Sequence, residues 1–323
     1  MIRAGGLMMV AAAGLLSACG GSSSSSSTGP ETRTMTVPFE AVAGSTAIAC
    51  GVDILSQGST GTTVQVADFR LFIHDVKLVT DEGVELPVTL DASQPSHSER
   101  VVQLDFRDKV GCDGEGDANP AFNDVVVGSV TVDPALVIDS VRFTLGVPFD
   151  LNHADQAAAV EPLRNPGLAS GMAWSWQGGY KFTGIDMLPV GGVTRPSDEA
   201  WSSPRWNLHL GSTGCSVTTP DLGAGTPPQP CTAANRVVIT LPLAGRELGD
   251  DAAIRIDYAA LVTGSNLVQD GGGAPGCMSG STDPECENVF ARLGLPWGEN
   301  EAEENAAVTN GVFSIVDVAT PDA

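Results

Sequence analysis

Four histidines, five tryptophans and seven cysteines carry most of the chemistry that this sequence could perform. His74 lies in Phe69-Arg70-Leu71-Phe72-Ile73-His74-Asp75-Val76, where strand alternation puts it on the face of Arg70, Phe72 and Val76. His209 lies in Trp206-Asn207-Leu208-His209-Leu210, again strand-like, next to a loop that carries Cys215. Two strand histidines converging from distant segments could hold copper or zinc, since neutral imidazole suits both. Each taken alone also reads as a structural histidine satisfied by its neighbours. His153 follows Asn152 and could ligate a metal or fix its own loop by hydrogen bonding. His97, in the polar run Gln94-Pro95-Ser96-His97-Ser98, reads as solvent-exposed and idle.

A second cluster is Met172-Ala173-Trp174-Ser175-Trp176-Gln177-Gly178-Gly179-Tyr180-Lys181-Phe182. On a strand, Trp174 and Trp176 point the same way and place two indoles side by side. Core packing is the ordinary use of tryptophan. Yet Trp174, Trp176 and Trp201 fall close together in a glycine-rich context that a plain core does not require. Clustered indoles near a metal or haem can serve as oxidisable electron donors.

The cysteines divide by position. Leu16-Ser17-Ala18-Cys19 closes an apolar run that starts at Leu7, behind a short n-region with Arg3. It reads as a lipoprotein signal ending in a lipobox, too short to remain as a membrane span. Residues 1–18 are then a signal peptide, Cys19 the lipid carrier, residues 19–34 a Gly/Ser-rich tether and residues 35–323 one β-rich domain. Gly20 follows the cysteine where Asp would argue for inner-membrane retention, so the expected place is the periplasmic face of the outer membrane. Export puts Cys50, Cys112, Cys215, Cys231, Cys277 and Cys286 in an oxidising compartment and favours three disulfides. Nearness in sequence favours Cys215–Cys231 and Cys277–Cys286, which leaves Cys50–Cys112. No C-x-x-C occurs, which counts against a zinc cluster.

The elements that must position these residues are strands. Residues 64–67, 69–79, 101–106, 125–132, 137–145, 237–243, 253–260 and 312–318 alternate apolar and polar side chains with β-branched content. Turn signals such as Asp81-Glu82-Gly83 and Asp270-Gly271-Gly272-Gly273 separate them. The expected fold is all-β, an antiparallel sandwich or barrel-like domain with long disulfide-stapled loops and one or two short helices. Residues 284–293 are the best helix, with Asp283 as a cap and Gly294 as its stop, and residues 154–163 could form another. Residues 191–204 and 213–235 read as long loops, and the acidic run 299–304 as a solvated one. Asp and Glu total 39 against 16 Lys and Arg, a formal charge of -23 that excludes nucleic acid as a partner. No G-x-S-x-G or H-E-x-x-H occurs, and Asp113-Gly114-Glu115-Gly116-Asp117 matches a calcium loop in composition only.

Taken in order, several segments resemble the MbnP-like family, the metallo-mystery pair four-Cys motif proteins. They are V-P-F-E-A-V-A-G at 37–44, D-F-R-L-F-I-H-D-V at 68–76, L-G-V-P-F-D-L-N-H at 145–153, M-A-W-S-W-Q-G-G-Y-K-F at 172–182, N-L-H-L-G-S-T-G-C at 207–215, and C-M-S-G at 277–280 with Cys286. The resemblance implies a periplasmic protein that binds one copper ion and is not itself an enzyme. It also implies a di-haem partner of the cytochrome c peroxidase type, which oxidises a tryptophan to kynurenine. Carried over, His74 and His209 become the copper ligands with His153 as a third candidate, and Trp176 or Trp174 the oxidised residue. A water, the thioether of Met278 or Met187, or the modified indole could complete the set. The rival readings are a metal-free structural or adhesive lipoprotein and a surface enzyme using a histidine-held metal.

Overall fold

The structure, a computed structural model, describes residues 29–112, 114–174, 178–215, 231–249, 251–297, 304–306 and 311–318. The lipobox, Trp176 and most of the acidic run at 299–304 lie outside the described residues. Among the described residues no helix is long and apolar enough to cross a membrane.

Alternating side chains build two facing sheets, as the periodicity predicts. The main strands are β1 (Glu31–Ala43), β2 (Thr62–Thr80), β3 (Val101–Asp105), β4 (Val125–Val132) and β5 (Ile138–Leu145). They continue with β6 (Thr183–Pro189), β7 (Trp206–Leu210), β8 (Arg236–Pro242), β9 (Ala252–Asp257) and β10 (Phe313–Asp317). One sheet runs β10-β9-β1-β4 and ends on Thr89–Leu90. The other is built on β2, which pairs β3, β5 and β6, with β7 on β6 and β8 on β5. The pairing is mostly antiparallel, but β1 and β9 run parallel. Between the sheets Phe39 meets Phe143 edge-on at 5.6 Å, and Phe143 meets Phe313 at 5.9 Å.

β1 begins at Glu31, so residues 31–34, read as tether, are strand. Asp68 does not interrupt β2, because Arg70 answers its charge two residues along the same face. Residues 154–163 form turns and no helix; the helical turn there is α1 (Phe149–Asn152). The strand expected over 253–260 stops at Asp257, whose carboxylate accepts the Ala259 and Ala260 amides and starts α2 (Tyr258–Leu261). The helix expected at 284–293 is α3 (Cys286–Leu293), closed by Gly294 at φ 72°. Residues 191–204 are no loop but a hairpin of Val193–Arg195 with Asp198–Ser203. All three disulfides pair as nearness indicates: Cys50–Cys112, Cys215–Cys231 and Cys277–Cys286.

The feature that matters for function lies at Phe72. Its amide donates to the Phe182 carbonyl (2.9 Å) and its carbonyl accepts from the Gly146 amide (2.8 Å). β6 covers β2 up to Leu71 and β5 covers it from Ile73, so the two lie end to end along one edge. Residues 146–182 therefore leave the sheet and return to the same point. One strand further out, the chain leaves the sheet after β7 and re-enters it at β8, where Thr213 and Ala233 exchange backbone bonds and Cys215 bridges Cys231. Both excursions open at one seam.

His97 is buried, not exposed as its polar neighbourhood implies. Its Nε2 accepts the Val127 amide (3.0 Å), so Nδ1–H donates to the Ser96 hydroxyl (3.2 Å), pinning this loop to β4. Burial pushes the imidazole from 6.5 down to about 4. The unfolded chain gains this proton near its ordinary value, whereas the folded chain refuses it until much lower pH. Folding stability is therefore full above pH 6.5 and declines as pH falls towards 4. Urea midpoints at neutral pH and near pH 5 should differ by less in His97→Gln than in the wild type. Equal differences would show that His97 does not set this slope.

Candidate metal centre

His209 is held from one side. Its Nε2 lies 2.7 Å from Asp186 Oδ1, across the β6–β7 ladder. Burial pushes the Asp186 carboxyl up, but the His209 hydrogen bond, with Lys181 and Arg205 nearby, brings it to a net value below the usual carboxylate range. An ionised carboxylate only accepts, so Nε2–H donates to it, and Nδ1 is the nitrogen on which a metal would find a lone pair. This carboxylate–histidine arrangement orients ligating imidazoles in metal sites.

Glycine opens the sheet beside this ring. Gly184 stands directly opposite His209 in the ladder. A Cβ at Gly184 would fall 2.4 Å from the sulfur of Met172, so only glycine lets that buried thioether lie on the sheet next to His209. Two residues on, a Cβ at Gly211 would meet the Trp174 ring at 2.5 Å and the Tyr180 carbonyl at 2.8 Å. Ser279 fixes the far side: its hydroxyl donates to the His209 carbonyl (2.9 Å) and accepts the Gly211 amide (3.0 Å). These segments border a cavity of about 560 Å³ lined by Trp174, Thr213, Cys215 and Met278 among others.

His153 ends α1 at the same seam, near the start of the first excursion. Its Nε2 accepts from the Asn152 side-chain amide (3.1 Å) and lies 3.5 Å from Cys231 Sγ. The Asn152 side-chain Oδ1 in turn accepts the Tyr180 amide (2.8 Å), and the Tyr180 hydroxyl donates to the Leu163 carbonyl (2.5 Å). The 146–182 excursion is thereby tied to itself, and the Tyr180 ring packs edge-on against Phe72 at 5.8 Å. The donor atoms of His153, Cys215 and Cys231 all lie within 4.8 Å of one another.

His74 does not join this group. In register, His209 stands opposite Gly184 and Gly184 opposite Arg70, four residues short of His74 on β2. Two strand spacings and four residue rises separate the two histidines by about 16 Å. One ion cannot bind both. His74 Nδ1–H donates to the Gly146 carbonyl (2.9 Å), and the residue borders a different cavity of about 440 Å³ with Arg100, Asp150 and Arg236. Met187 stands opposite Trp206, on the sheet face turned away from His209, and drops out as a ligand, while Met278 stays at the cavity wall. Trp174 is half-buried, its amide bonded to the Gly179 carbonyl (3.0 Å). The sequence alone does not single out Asp186 or mark Met172 as a ligand, although Gly184 inside the strand-like run Thr183-Gly184-Ile185-Asp186-Met187 signals a close approach.

The family model of MbnP matches residues 32–279, a span that contains His74, His153, Trp174, His209 and Met278. The chain belongs to the MbnP family. Its fold is similar to that of MbnP from Methylosinus trichosporium, with a TM-score of 0.74 at 29% identity, over 90% of this chain and all of that one. No curated protein matches the sequence. In this MbnP-family chain the matched span takes in both excursions from the sheet, while α3 and β10 lie beyond it.

Gly211→Ala should cost about 1–3 kcal/mol in urea unfolding, because a methyl there drives Trp174 off the sheet. In a Trp174→Ala background the same change should cost less, since the space is vacated. Additive costs in this double-mutant cycle would show that Trp174 does not rest on Gly211.

Proposed function

We propose that this chain is an exported, lipid-anchored copper-binding protein, not itself a catalyst, whose metal centre lies beside His209. The observation that carries the reading is the His209–Asp186 pair, on a sheet face where Gly184 and Gly211 admit the Met172 thioether and the Trp174 ring; Nδ1 would be the ligating nitrogen. Imidazole with thioether is a donor set suited to cuprous copper. His209 and Met172 would hold the ion, with Met278 at the cavity wall as a further donor. His153 stands with the neighbouring disulfide, and His74 belongs to a separate cavity. Bound copper would supply a soft, redox-active centre at this position. Asp186 holds the proton on Nε2, and the buried Met172 and half-buried Trp174 restrict water.

Trp174 or Trp176 is the residue we expect a di-haem partner of the cytochrome c peroxidase type to oxidise to kynurenine. An indole is a poor σ-donor, whereas the aniline nitrogen of kynurenine can approach a metal. The acidic surface would dock that partner, with association weakening as salt rises. Family membership, the three disulfides and the export signal read at residues 1–18 support an oxidising, extracytoplasmic setting.

Metal analysis of the protein purified after periplasmic expression tests the centre. Wild type and His74→Ala should retain about one copper per chain, and His209→Ala should lose it. Asp186→Asn should weaken binding by about 10–100-fold. Absence of copper from the wild type, or equal copper in His209→Ala, would overturn the assignment. Intact mass after exposure to the di-haem partner should rise by about 4 Da, the formula difference between tryptophan and kynurenine. An unchanged mass removes the oxidation step.

A further inference from the structure

We propose that the Cys215–Cys231 disulfide is a latent soft-metal site. Reduced by a dithiol, its two sulfurs and the His153 imidazole would hold one cadmium, zinc or cuprous ion. This site is separate from the His209 centre and does not depend on it.

The three donor groups are already gathered at close to metal-site spacing. In a tetrahedral site with metal–sulfur bonds near 2.3 Å and metal–nitrogen bonds near 2.05 Å, nitrogen and sulfur sit about 3.5 Å apart. His153 Nε2 lies 3.5 Å from Cys231 Sγ. The three donor atoms fall within 4.8 Å of one another, so the sulfurs need only part to about 3.8 Å. Nε2 is also the correct atom. It accepts from Asn152, so it bears the lone pair, and a metal would take the place of that N–H donor.

Access distinguishes this bridge from the other two. Cys277 and Cys286 are wholly buried, and Cys50 and Cys112 nearly so. Cys215 is partly exposed and faces the cavity that Trp174 and Met278 line. A dithiol can reach its sulfur from there. Exchange transfers two electrons: the S–S bond breaks, a mixed disulfide forms and resolves, two thiols appear at Cys215 and Cys231, and the dithiol leaves as a disulfide. Metal binding then releases the two thiol protons. The backbone bonds between Thr213 and Ala233 bracket the bridge and keep both cysteines in place once it opens.

The test is a cadmium titration of the full chain after brief dithiol treatment and anaerobic desalting. Alkylation mapping should find two thiols, at Cys215 and Cys231. One cadmium per chain should bind with a thiolate-to-metal charge-transfer band that the oxidised protein lacks. Cys215→Ser/Cys231→Ser should abolish the band, and His153→Ala should weaken affinity at least tenfold. His209→Ala should leave it unchanged, which separates this site from the copper centre. The proposal fails if reduced wild type shows no band, if the band survives in the double serine variant, or if His153→Ala binds equally well. Loss of the far-ultraviolet β-sheet signal on reduction would also overturn it. Should the double serine variant not fold, oxidised wild type serves as the thiolate-free control.

Discussion

Two backbone hydrogen bonds at one residue organise this protein. A strand residue presents its N–H and C=O to the same neighbour, so Phe72 must be completed on one edge by one partner or by two. Here it takes two: Phe182 supplies the acceptor and Gly146 the donor. β5 and β6 thereby become collinear on β2, and the 35 residues between Gly146 and Phe182 must begin and end at a single point. The same break, carried one strand outward, brings the chain off the sheet again between β7 and β8. Distant stretches of sequence meet because the ladder changes partner. Any metal chemistry at His209 and any thiol chemistry at Cys231 depends on that hand-over.

What the first excursion covers is not an apolar face. Asp186 with His209, Arg70 with Asp68, and Arg107 with Asp105 lie on or beside the face of β2 and β6 that the loop overlies. Arg70 also donates to the Ser170 carbonyl (2.8 Å), reaching from the sheet into the loop. Charges removed from water in this way need complete pairing, because a lost partner leaves a buried charge behind. The pairing also orients the side chains that matter. Asp186 sets which nitrogen of His209 carries the proton, and the Arg70–Ser170 bond steadies the loop two residues before Met172.

The sandwich was legible because burial on one face of a strand imposes a period of two, and that pattern survives in β4, β5, β8 and β10 within a residue or two. The exceptions share a cause. Residues 253–260 read as strand throughout, yet a carboxylate at Asp257 can cap a helix and did. Residues 154–163 carry enough alanine for a helix, but Asp155 accepts the Ala157 amide and holds the segment in a turn. His97 looks exposed by its polar company, yet buried hydrogen bonds satisfy polar residues as well as water does. The copper expectation divides in the same way. Local sequence identified His209 and Trp174 as chemically apt, but a pairing of His74 with His209 rests on register, which no single strand records.

By itself the sequence determined composition-level and local facts: an acidic all-β chain, three disulfides pairable by nearness, and strands that bear histidines. These depend on residue type and short-range periodicity, both of which are written in the chain. Tertiary structure alone decided which histidine lies beside which sulfur. That depends on where β2 exchanges β6 for β5, and on glycines at 184 and 211 that allow Met172 and Trp174 to rest on the sheet. The physical reason is that strand pairing is non-local: a register shift of a few residues moves a side chain by many ångströms while leaving the alternation unchanged.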